Sequence, residues 1–223
     1  MKKLLLLFVL VLTTQTIKAQ ADAFITTWVT TTGFETITLP VQVDAPNYSI
    51  NWGDGVSNTY TKTQIPSHTY FSSGEYTVSF TGTFPHLTFS GQTKLKAVQQ
   101  WGTQKWTSMA NMFEGCTTLN SFPVQAPDLS LCTNMNGMFF NATSFNQSIG
   151  SWNVSNVSNM GDMFYNATAF NQPIGYWDVS KVTNLMGMFH GATSFNQPID
   201  SWNVSNVTNM YYLFWDAKSF NQP

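Results

Sequence analysis

The sequence predicts an N-terminal all-β sandwich followed by a short α/β solenoid, and three observations predict it. Residues recur every 25 positions in the C-terminal half: Phe145, Phe170, Phe195 and Phe220; Trp152, Trp177 and Trp202; Phe139, Phe164, Phe189 and Phe214. Within one unit Val157, Met160, Phe164 and Ala167 fall at spacings of three and four, the period of one helix face. Before the repeats, stretches such as Tyr76-Thr77-Val78-Ser79-Phe80 alternate with period two and carry no helical pattern.

The chain begins as an exported protein would. Lys2 and Lys3 precede an apolar run from Leu4 to Leu12, and Ala19-Gln20-Ala21 offers the small residues that signal peptidase recognises. Residues 1–21 are expected to be removed. The run is too short for the roughly 20 residues that cross a bilayer, so no transmembrane segment is expected after cleavage. No cysteine lies near the cleavage point, so lipid attachment there is not expected. Of the 223 residues 43% are hydrophobic and only 9% charged, enough for a sizeable core under a surface of Asn, Thr, Ser and Gln. Removing Lys2, Lys3 and Lys18 leaves six Lys against eleven acids, a formal charge of −5. There is no Arg and the Lys are scattered, so nucleic acid is not an expected partner.

Residues 22–92 form the expected sandwich, rich in Thr, Tyr, Phe and Val, and residues 93–223 the solenoid. An early, degenerate unit is visible in Met109, Met112 and Phe113, which precede Met135, Met138 and Phe139 by 26. Each unit is expected to hold one helix of two or three turns, begun by Ser158, Thr183 or Thr208 as its cap. The remainder, with Pro173 and Gly175, reads as turns and at most a short strand. No unit of 25 residues can bury its own apolar face, but stacked copies cover one another. Asn146, Asn171, Asn196 and Asn221 then form a file able to bond turn backbone from coil to coil. The last unit stops at Pro223 without a polar cap, so a further unit or a partner is expected to cover it.

The phrase "MFYNATAFNQPIGYWDVSKVTNLMGMF" resembles the repeats of BspA-like leucine-rich-repeat surface proteins, known from mycoplasma surface lipoproteins and from Bacteroidetes. "YSINWGDG", "HTY" and "GEYTV" resemble a polycystic-kidney-disease-type (PKD) domain, although the usual extra aromatic before GDG is replaced by Asn51-Trp52. Together these resemblances imply an N-terminal all-β immunoglobulin-like sandwich followed by a short α/β leucine-rich-repeat-like solenoid. They further imply an exported surface protein that binds proteins or host surfaces, with no catalytic residues to carry over. The expected function is non-catalytic protein binding or adhesion, with an extracellular protein or glycan as partner and no cofactor; the alternatives are a glycan-binding accessory that uses an exposed aromatic row and a purely structural surface spacer.

Catalysis needs convergent groups, and the sequence offers few. His68, His86 and His190 are far apart, no His or Cys pair has zinc spacing, and the acids of the repeats occupy different positions, so neither a catalytic nor a metal set is expected. A calcium site could lie at Asp54 or among Asp22, Glu35, Asp44 and Glu75; the alternative is that Asp54 is a turn residue. Cys116 and Cys132 fall at opposite ends of the expected helix, too far apart for a disulfide, and read as buried thiols. The Asn-x-Ser/Thr triplets are repeat vocabulary. One file keeps its aromatic character but not its identity: Phe140, Tyr165, His190 and Trp215, each directly after the fixed Phe. It is the candidate binding row, with padding of the helix edge as the alternative. The Trp152, Trp177 and Trp202 file reads as packing.

Overall fold

The computed structural model describes residues 21–39, 47–61 and 64–223. All but the last position of the expected export signal lies outside the described residues, as does Asp44. Among the described residues seven strands form: β1 (Phe24–Thr30), β2 (Glu35–Thr38), β3 (Asn47–Asn51), β4 (Ser57–Thr61), β5 (Ser67–Tyr70), β6 (Gly74–Gly82) and β7 (Leu95–Gln100). They build a five-stranded sheet in the order β4-β3-β6-β1-β7 and a two-stranded sheet of β2 and β5, all antiparallel.

The period-two pattern sets the faces. Val78 and Phe80 of β6 point inward while Thr77 stays exposed. Ile37 and Tyr70 from the smaller sheet meet Trp28 and Ile50 from the larger in one core. β1 lies between β6 and β7 and is buried almost throughout; its Trp28 indole donates to Thr26 Oγ1 at 2.8 Å, so the buried N–H is satisfied.

The GDG turn is a clamp. Gly53 takes φ +85° with Thr77 backbone against its Cα, so a side chain fits neither the space nor the conformation. Asp54 accepts from the Val56 N–H and lies 2.7 Å from His68 Nε2, while the His68 ring stacks on Trp52. Burial raises the Asp54 pKa, but the hydrogen bonds from His68 and Val56 outweigh it and hold the carboxyl below its ordinary value. Asp54 thus belongs to the turn, and His68, from β5, holds it there.

The solenoid corrects the expected fold class. Residues 93–223 contain no helix, so the α/β leucine-rich-repeat-like solenoid is replaced by stacked turns and the described part of the chain is essentially all-β. In the unit from 160, Met163 N–H donates to Met160 C=O and Ala167 N–H to Phe164 C=O, each an i to i+3 bond. Asp162 and Asn166, the third residues of these turns, have φ +54° and +52°. A positive φ at that position defines a type II turn. The same two positions are left-handed in the other coils from Met109 onward: Asn111 and Gly115, Gly137 and Asn141, Gly187 and Gly191, Tyr212 and Asp216. A right-handed helix cannot contain a left-handed residue every four positions. The apolar spacing of three and four arises instead because the first and last residues of each turn face the core.

The N–H groups left out of these turns hold the stack together. Met160, Asp162, Phe164 and Asn166 donate to the carbonyls of Asn184, Met186, Met188 and His190 in the next coil, at 2.7–3.0 Å. The expected helix caps do different work: Thr183 Oγ1 donates to Ser158 C=O and Thr208 Oγ1 to Thr183 C=O, each one coil back. Asn146, Asn171 and Asn196 accept from the backbone N–H of Asn171, Asn196 and Asn221 respectively, all at 2.9 Å. This asparagine file bonds the coils as its spacing suggests.

Two phenylalanine files fill the interior. Phe113, Phe139, Phe164, Phe189 and Phe214 stack with centroids 5.6–5.8 Å apart, and Phe145, Phe170, Phe195 and Phe220 stack beside them. The tryptophan file is buried, with Trp177 and Trp202 donating to Ile149 and Ile174 carbonyls. Cys116 and Cys132 are free and buried; burial pushes their thiols up to about 12 and about 11.

Coiling starts before residue 93. Phe89 stacks on Phe113 at 6.0 Å, and the N–H groups of Phe89 and Gly91 donate to Met112 and Glu114. β7 pairs with β1 while Ala97 bridges to Ser121 of the coil below. Sheets and coils therefore share one core through β7.

Candidate functional site

The residues of the candidate row sit at the second position of the second turn in each coil, where the chain turns away from the core. Phe140 and Tyr165 stack at 4.5 Å and 12°, and Tyr165 and His190 at 4.2 Å and 22°. The three rings are half-buried; their faces cover one another and their edges remain open. Trp215, 60% exposed, leaves the file. Its place against His190 is taken by Tyr212, edge-on at 6.1 Å, and Trp215 packs against Tyr212 instead. Padding and display are therefore combined: the first three rings brace the turn layer, and the fourth projects.

Tyr211 and Tyr212 belong to this surface and were not singled out in the sequence. Tyr211 is 62% exposed, and its hydroxyl donates to that of Tyr212 at 2.9 Å. The signal was available: Tyr212 stands in the file of Asn111, Gly137, Asp162 and Gly187, where a left-handed φ is required and a bulky ring is an outlier. Gly187 has no side chain because Asp162 Oδ1 fills the space above its Cα. Burial raises the Asp162 pKa, and the nearby His190 tempers the rise. His190 Nδ1 is buried without a hydrogen-bond partner.

The remaining candidates are dispersed. His86 Nε2 lies 3.0 Å from Ala110 C=O, and His68 belongs to the GDG clamp. Among the described residues no three His, Cys, Asp or Glu are placed to hold a metal together, and no helix is long and apolar enough to cross a membrane. The arrangement can present ring edges and amides to a surface.

These features define a class: a β-sheet head continuous with a helix-free solenoid of 25-residue coils. The model of a family described as "Mycoplasma protein of unknown function, DUF285" matches residues 80–178 and 160–223, well over half of the chain. The chain belongs to that family. The match begins ahead of Phe89, consistent with coiling that starts before residue 93. No curated protein and no solved structure matches the chain.

Proposed function

We propose that the chain is an exported, non-catalytic surface protein whose solenoid binds a protein partner. The observation that carries this reading is the aromatic surface formed by the edges of Phe140, Tyr165 and His190 together with Tyr211, Tyr212 and Trp215. Rigid rings contribute contact area at little entropic cost, and Tyr and Trp dominate the energetic centres of protein interfaces. Membership of a family of mycoplasma repeat proteins supports the surface location. A glycan is the second reading, since stacking on a sugar needs an open ring face. The first three rings give their faces to each other, and Tyr211, Tyr212 and Trp215 keep more of theirs exposed. The sheets, built from β1 to β7, act as a PKD-type spacer, a role consistent with the His68–Asp54 clamp.

The test is retention of the labelled chain on intact cells. The double variant Tyr165→Ser, Trp215→Ser should bind at least about tenfold more weakly, the scale expected when two aromatic anchors are lost. Protease treatment of the cells should lower binding of the unaltered chain to the level of the double variant, whereas glycosidase treatment should spare it. Undiminished retention of the double variant rejects the proposal, and loss only after glycosidase transfers it to a glycan.

A further inference from the structure

At one end of the sheets two phenylalanines stand in solvent. Phe34 is 75% and Phe71 70% exposed, and their rings meet edge to face at 5.5 Å. Phe34 follows β1 and Phe71 follows β5, so two separate loops converge on one tip. Phe34 has φ +61°, a conformation costly for a bulky residue and retained only where the surroundings enforce it.

The surroundings do enforce it. Glu35 Oε1 accepts from the N–H groups of Thr31 and Thr32, at 2.8 and 2.5 Å, and from both of their hydroxyls. Its other oxygen pairs with Lys94. Gly33 lies so close to Phe71 C=O that a Cβ would approach the oxygen to 2.6 Å, which locks the two loops together. A strained, braced turn thus holds two large apolar rings mostly in solvent. In water such an arrangement is unfavourable, so its use lies in another phase or partner.

We propose that the Phe34–Phe71 tip inserts shallowly into the interfacial zone of a lipid bilayer. Area separates this occupant from a protein. Two phenylalanines expose on the order of 300 Å² together, far below the ~800 Å² that each partner contributes to a standard protein interface. A bilayer needs no matched surface, and binding grows with the apolar area that enters it. Charge agrees: Thr31, Thr32, Ser72 and Ser73 flank the two phenylalanines in the chain, and Glu35, next to Phe34, is paired with Lys94. Insertion therefore leaves no charge unpaired, and the hydroxyls reach headgroup depth.

Fluorine NMR of the full chain carrying 4-fluorophenylalanine at positions 34 and 71 tests this with phosphatidylcholine vesicles spin-labelled in the acyl chains. Both resonances should broaden on adding vesicles, and high salt should not reverse it. Phe34→Gly removes one ring and relieves the left-handed strain, so the folded state should be no less stable by thermal unfolding, while broadening at position 71 should be lost. Sharp lines in the presence of vesicles, broadening reversed by salt, or broadening at 71 that survives Phe34→Gly would each overturn the proposal.

Discussion

Phe189→Ala is expected to destabilise the chain by about 3–5 kcal/mol, the range for removing a buried aromatic from a packed core. Phe189 is fully buried, stacked between Phe164 at 5.8 Å and Phe214 at 5.6 Å, and in contact with Phe195 at 4.1 Å. Its loss opens a cavity shared by three coils. In a solenoid the stability of each coil resides largely in its interfaces with its neighbours, so the damage reaches beyond the mutated unit. Phe220→Ala provides the internal comparison: Phe220 stacks on Phe195 from one side and is only partly buried, and its removal should cost markedly less. Urea unfolding of both variants measures the difference. Equal, small losses would mean that the rings do not form a load-sharing file.

Gly191→Ala should be destabilising, and the sign carries the information. In a helix the same replacement stabilises by roughly 1 kcal/mol, because alanine is the best helix former and glycine among the worst. In the turn stack Gly191 has φ +65°, and a Cβ there would fall on Asn166 Oδ1 of the preceding coil. The left-handed conformation alone costs a non-glycine residue about 1–2 kcal/mol, and displacing Asn166 adds to it, since that side chain also bonds Asn141 Oδ1 at 3.1 Å. A fall in thermal midpoint is expected; a rise would favour the helix over the turns.

The contrast shows what the sequence could and could not carry. The 25-residue period, the core files of Phe and Trp, the asparagine file and the unpaired cysteines were all legible, because stacking turns identity at a fixed interval into contact. The backbone that bears them was not, because a helix and a chain of type II turns both place apolar residues three and four apart. What distinguishes them is the polar residues between: Gly137, Asn141, Asp162, Asn166, Gly187 and Gly191 are residue types that accept a left-handed φ, and they recur where a helix would hold none. The coil at Phe89 was hidden because it keeps the ring but not the surrounding Met and Ala. Of the aromatic row, Phe140, Tyr165 and His190 were found at their true spacing. Tyr211 and Tyr212 were missed because one of them occupies a position elsewhere held by Gly, Asn or Asp. Phe34 and Phe71 lie outside any repeat and become neighbours only through the strand order.

Scalar coupling across hydrogen bonds, measured by NMR on the deuterated protein, is decisive for the stacked-coil backbone. The Asp162 N–H should couple to the carbonyl carbon of Met186, 24 residues ahead, across the 2.7 Å bond that joins adjacent coils. Coupling from Asp162 to Ser158, the partner four residues back that an α-helix demands, would contradict it.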